Sequence, residues 1–352
     1  MIQRMISIAL MVIAMTFTGI PGTFGFQDVL DTPAMKNPLA ERSWLNAITR
    51  AGSRLVAVGF RGHILYSDDQ GKRWTQANVP LSSDLTDVCF ASPRKGWVVG
   101  HDGVVLHSTD GGATWIKQLD GFTALKIMQK YYVAHPAKDP EANERLQSNV
   151  KQLVQEGADK PFLGVWFDSE KSGFIVGNFN LIFRTKDGGR SWEPYFDRTE
   201  NPRFLHLNAV RHIGQDWFIA GEQGIALKYD PMTDRFRKLD TGYQGSFFGV
   251  TGVSGKVMMF GLRGNAYLTR NGGATWTKAE TMVEVGLTGG VMTEDGRIIL
   301  VNQSGIILIS TDGIKFKRVK VDQPFPAAAV AVAGKNEVVL AGPIGLKVQS
   351  LK

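Results

Sequence analysis

The sequence predicts an all-β fold, a seven-bladed β-propeller of four-stranded antiparallel blades, and two repeats predict it. One phrase, an apolar run, G-x-x-G, a second apolar run and Ser or Thr, occurs seven times. Its second glycine, or a substitute, stands at Gly62, Gly103, Asn180, Gly224, Gly264, Gly305 and Gly345. The step is about 40 residues, a period that indicates blades of four short strands. The second repeat, S-x-D-x-G-x-x-W, follows five of these phrases.

Read along the chain, residues 1–25 come first. Arg4 precedes an apolar stretch from Met5 to Phe17 that is short for a bilayer span, and small residues follow around Thr23 and Gly25. This is the pattern of a secretory signal, with an uncleaved membrane anchor as the rival reading. Residues 26–352 then form one domain. In its second unit LTDVCFAS reads as a first strand, SPRKG as a turn, GWVVGH and GVVLHS as the second and third strands, and TWIKQL as the fourth. The other units start at WLNAIT, FLGVWF, LNAVRH, FFGVTG, VGLTGG and AAAVAV.

The step from Gly103 to Asn180 is nearly doubled, and the excess falls between Gly121 and Pro161, an insertion at about 121–160 between blades 2 and 3. It reads as helical. Asp139 is an N-cap followed by Pro140, Leu146, Val150, Leu153 and Val154 make one stripe, and Gly157 is the stop. Leu125, Met128, Tyr131 and Tyr132 fit a shorter companion helix. An insertion of this length is either packing for the rim or a partner-binding arm. The seventh unit ends after its third strand, so the mature N-terminal segment FQDVLDTPAMKN is expected to add the missing outermost strand and cover the edge.

The second repeat is complete at Ser67, Asp69, Gly71, Trp74 and at Ser108, Asp110, Gly112, Trp115. It is nearly so at Asp187 and Trp192, carries Asn271 with Trp276, is shortened around Asp312, and is degenerate in YDPMTDRF. Asp or Asn accepts hydrogen bonds from turn amides, glycine takes positive φ, and Trp covers the hairpin. This is the Asp-box, or BNR repeat, and its aspartates read as structural.

Several function classes lose support. Forty Lys and Arg interleave with 33 Asp and Glu for a net charge of +7, without the aromatic-laced basic patch of a nucleic-acid reader. The histidines, His63, His101, His107, His135, His206 and His212, show no ligand spacing, so neither a metal nor a cofactor is expected. The lone Cys89 reads as a small core residue. Asp-boxes also occur in sialidases, so a glycosidase or glycan-binding propeller is the alternative. No R-I-P motif is present, no Tyr and Glu pair stands out, and carboxylates cannot be paired across blades from sequence, so no catalytic residue is assigned.

Together the seven V-x-G-x-x-G-x-I-L-x-S-x-D-G-G-x-x-W units behind a secretion signal closely resemble the photosystem II stability/assembly factor family of seven-bladed propellers, over about Trp44 to Lys352. The resemblance implies a non-enzymatic scaffold for nascent membrane protein complexes, in the thylakoid lumen of photosynthetic organisms and exported elsewhere. The chain departs by its insertion and its weak fourth box. The expectation is a monomeric, periplasmic scaffold whose partner is a membrane protein or envelope complex. Loops between second and third strands share an end with the links between blades, opposite the Asp-boxes. They place Arg61, His101, Phe179, Glu222, Arg263 and Gln303 there, with Arg203, His206, Phe247, Phe248 and Phe325 at the junctions, and arginine beside aromatics is hot-spot chemistry. The partner-binding candidates are Arg61, His101, Phe179, Arg203, His206, Phe247 and Arg263.

Overall fold

The computed structural model describes residues 27–351; the leader expected at 1–25 lies outside the described residues. The fold is all-β and propeller-like, with two helices. Seven antiparallel sheets follow one another along the described chain, six of four strands and a last one of three. Each is a meander whose strands pair in sequence order. Their first strands are Leu45–Ala51, Leu85–Phe90, Phe162–Phe167, Leu207–Ile213, Phe247–Val253, Leu287–Met292 and Ala329–Gly334. Each first strand touches the first strand of the next sheet, and that of the seventh touches that of the first.

The apolar faces of neighbouring sheets make the core. Val56, Val58 and Ile64 of the first sheet pack with Val88, Val98 and Leu106 of the second. At the other side Ile48, Leu55 and Ala57 of the first sheet pack with Ala331, Val339 and Ala341 of the seventh. The second strands, such as Gly96–Gly100 and Gly173–Gly177, are buried throughout, as strands covered on both faces must be.

A β-bulge near the start of six first strands shifts their register. At four of these bulges a polar side chain reaches the next sheet. Asn46 donates to the Leu85 carbonyl at 2.7 Å, Thr86 to Phe162 at 2.6 Å, Asn208 to Phe247 at 2.7 Å and Thr288 to Ala327 at 2.6 Å. The sheets are thus joined near the axis by hydrogen bonds as well as by apolar packing.

The insertion is two helices, α1 (Gly121–Ala134) and α2 (Pro140–Glu156). The Asp120 and Asp139 side chains cap them, accepting from the Thr123 and Ala142 amides. Leu146, Val150 and Leu153 are buried against Met128 and Tyr132, in one cluster with the second and third sheets. No helix among the described residues is long and apolar enough to cross a membrane.

The expected N-terminal clasp is corrected. Gln27–Asn37 contributes no strand, and the seventh sheet keeps three. Asp28 accepts the Leu30 amide in a turn, and the segment then runs beside the link between the first two sheets. Ala34 donates to the Val79 carbonyl, Val29 accepts from Ser82, and Leu30 is buried there. The seventh sheet is instead flanked by the first Asp-box hairpin. A methyl group at Gly71 would lie 2.6 Å from Val339 and 3.3 Å from Val348.

Candidate functional site

The end formed by the turns between second and third strands is built by glycines that let two backbones meet. A methyl group at Gly59 would stand 2.1 Å from the Trp44 carbonyl oxygen, and Gly100, Gly177, Gly221 and Gly261 face the same obstacle. The following amide uses that carbonyl: Phe60 donates to Trp44, His101 to Asp84, Asn178 to Pro161, Glu222 to His206 and Leu262 to Ser246. The next residue then lies in the left-handed region, at Arg61, Asp102, Phe179, Gln223 and Arg263, with φ between 47° and 57°. Side chains there carry some strain, and the fold repeats it at five equivalent places.

Arg61 and Arg263 occupy this same turn position, and both are exposed. His101 sits one residue earlier, beside Asp102. Phe179 is 42% exposed and meets the His206 ring edge to face at 4.7 Å. The Phe179 amide donates to His206 Nδ1 at 2.9 Å, and the His206 amide donates to Glu222 Oε2. The Arg61 amide donates likewise to Asp84 Oδ1 at 2.7 Å. Arg203 is exposed on the junction into the fourth sheet.

Phe247 is corrected from this set. It is fully buried with Phe218 and Met259, because the bulge after it turns Phe247 inward and Phe248 outward. Phe325 is likewise buried. The sequence reading also passed over an apolar pair at this end. Trp44 and Phe60 stack at 5.0 Å with a 6° angle, both exposed, and Leu262 and Ile344 stand exposed on equivalent turns. The signal was the large apolar residue beside the glycine in F-R-G, L-R-G and P-I-G.

At the opposite end the Asp-box residues are engaged by their own hairpins. Asp69 Oδ1 accepts the Arg73 amide and the Ser67 hydroxyl, while the Trp74 indole donates to the Gly71 carbonyl. Asp110 accepts the Ala113 and Thr114 amides, Asp187 the Ser191 amide, Asn271 the Thr275 amide and Asp312 the Ile314 and Lys315 amides. Trp115 and Trp276 donate to Gly112 and Gly273. The buried Trp192 indole nitrogen has no partner among the described residues. These bonds favour the charged carboxylate. Contacts from Arg73 hold Asp69 far below the ordinary range, and the Ile314 and Lys315 amides bring Asp312 down to about 2.

A Tyr and Glu pair, unseen in the sequence, does occur beside the third and fourth boxes, where the insertion packs. Tyr131 of α1 donates to Glu193 Oε1 at 2.9 Å, and Arg198 joins Glu193 to Asp234, 2.8 and 2.6 Å away. Tyr195, Tyr229 and Arg184 complete the cluster on Asp234. Asp234 lies in the degenerate fourth box, so those residues here tie the insertion to the third and fourth sheets. Along the axis, the funnel at the Asp-box end is lined by Trp166, Arg211 and Arg50, with Glu294 and Asp295 side by side on one turn. That is not the facing carboxylate pair of a glycosidase. The described residues hold no group of three metal-ligating side chains, and Cys89 is buried, its thiol pushed up to about 12 by desolvation.

Comparison with known proteins agrees in direction. A family model described as photosynthesis system II assembly factor YCF48 matches residues 66–131 and 143–311. The chain is 28% identical over 154 residues to a photosystem II assembly protein Ycf48 of Synechococcus, covering 40% of this chain and 44% of that one. It is 23% identical over 295 residues to the chloroplast photosystem II stability/assembly factor HCF136 of Arabidopsis thaliana, covering 73% and 72%. The alignment thus spans less than half of the first relative. Among solved structures, YCF48 bound to D1 peptide superposes with TM-score 0.63 at 15% identity, over 91% of this chain and 96% of that one. YCF48 from Cyanidioschyzon merolae gives 0.63 at 16% identity, over 91% and 98%.

Proposed function

This chain belongs to the photosynthesis system II assembly factor YCF48 family, and from that premise we propose that it is a scaffold that binds and assists assembly or stability of a membrane protein complex. Its seven sheets are the blades of one closed ring, a single domain from residue 26 to 352. It works as an exported, periplasmic monomer, without chemistry of its own. A relative solved with a D1 peptide supports a membrane-protein partner, and a literal photosystem role is not required.

The observation that carries the reading is the repeated turn that presents Arg61, Phe179 and Arg263 at one end of the ring. His101, Arg203 and His206 belong to the same end. Exposed aromatics beside cations are the residues from which binding hot spots are made. Membranes from cells bearing a photo-crosslinking residue at Phe179 test it. The reading expects one discrete membrane-protein adduct there and none when the same group replaces exposed Lys72 at the Asp-box end. Equal adducts at both positions would remove the assigned face.

A further inference from the structure

We propose that the funnel at the Asp-box end of the axial channel binds a small organic anion with an apolar body, of the aryl carboxylate or aryl phosphate class. The funnel has a volume of about 840 Å³, within the range of small-molecule sites. Ile48, Val88, Val250 and Val330 give it apolar walls.

Its floor is built by one departure from the repeat. The position after the bulge is Ala47, Gly164, Ala209, Gly249 and Gly289 in five sheets and Asp87 in the second, and Ala329 holds the corresponding place in the seventh, which has no bulge there. Small residues fit there because strands crowd; a methyl group at Gly289 would lie 2.8 Å from the Ala329 Cα. Asp87 is buried and accepts the Val88 and Val165 amides. It also holds Arg211 Nη1 at 3.0 Å, with the guanidinium 5.0 Å from the Trp166 ring centre. Arg211 lines both the funnel and a smaller cavity of about 160 Å³ beyond it. The pair therefore divides the channel and turns an arginine toward the funnel.

The lining offers donors to an occupant. Arg211 uses Nη1 and Nη2 but not Nε within the described residues, and Trp166, Thr49 and Thr251, whose polar atoms are not buried, line the funnel with it. At the mouth Arg297 is paired with Asp295. Arg50, bonded only to the Gly52 and Val332 carbonyls, and Lys335 are left against Glu294 alone. An occupant that supplies acceptor oxygens, negative charge and a flat apolar surface matches floor, mouth and walls together, with charge-assisted hydrogen bonds to the arginines. A neutral sugar meets only the first of these needs.

Titration of the purified chain with benzoate and with phenyl phosphate, by calorimetry and tryptophan fluorescence, tests the site. Saturable binding is expected, with benzamide weaker by about tenfold, the cost of one lost charge-assisted contact. An Arg50→Gln, Lys335→Gln variant with an unchanged melting temperature should bind benzoate at least about fivefold more weakly. A Trp166→Leu variant should lose the fluorescence response. No saturable binding of either anion up to about 10 mM, equal affinity for benzamide, or unaltered affinity in the mouth variant overturns the proposal.

Discussion

His206 Nδ1 accepts the backbone N–H of Phe179 at 2.9 Å, across the junction of the third and fourth sheets. An acceptor at Nδ1 requires the neutral imidazole with its proton on Nε2. The bond holds Phe179 at φ 53°, a backbone angle that costs a bulky residue free energy.

Replacing His206 with leucine removes that acceptor while keeping apolar bulk beside the Phe179 ring. The turn should loosen by about 1–2 kcal/mol, the cost of stranding one amide. Amide hydrogen exchange at Phe179 and Asn180 would rise, with exchange in the sixth sheet unchanged.

Asp110 is expected to be structural. Asp110→Ala should destabilise the chain by about 1–3 kcal/mol, since the Ala113 and Thr114 amides lose their acceptor. Trp115→Ala should cost about 3–5 kcal/mol for a buried aromatic. Denaturant unfolding measures both, and partner capture by surviving folded chain should not change.

Acid should weaken the fold through Asp312 of an Asp-box and through Asp295 in the turn between the first two strands of the sixth sheet. Asp312 is held down to about 2 by the Ile314 and Lys315 amides, and Asp295 to about 2 by Arg297. A carboxylate depressed on folding contributes stability that is full above its unfolded pKa of about 3.9 and is lost as pH falls toward the folded value. Stability should therefore decline between about pH 4 and pH 2. Asp312→Asn keeps an acceptor oxygen without a titrating group, so its urea midpoint should fall less steeply over that window.

Removing Gln27–Asn37 should lower the melting temperature, because Leu30 is buried beside the first two sheets; Leu30→Ala alone should cost about 2–3 kcal/mol. Amide exchange in Gly345–Ser350 should stay as it was. Increased exchange in that strand would restore the clasp.

What the sequence made legible was local. Gly62 and its counterparts marked the turns, and Asp139, Pro140 and Gly157 marked α2, because each acts through its own few neighbours. What it hid depends on contacts between distant segments. Asp87 and Arg211, from the second and fourth sheets, meet over Val165 of the third, and Tyr131, Glu193 and Arg198 meet only once α1 lies on the third sheet. Phe247 was misplaced because one bulged residue reverses the alternation that separates inside from outside. The N-terminal segment was misplaced because an open sheet edge invites a strand without specifying one, and the turn at Asp28 favours a different path.

The proposed docking end rests most directly on Arg61 and Arg263, which sit in equivalent turns and make no ion pair among the described residues. The measurement is the amount of membrane-protein partner retained by immobilised chain carrying Arg61→Glu and Arg263→Glu, beside a control with Lys72→Glu and Lys278→Glu. The account predicts a loss of about tenfold or more in the first variant and little change in the second, with both melting like the parent. Full retention by the first variant would contradict it.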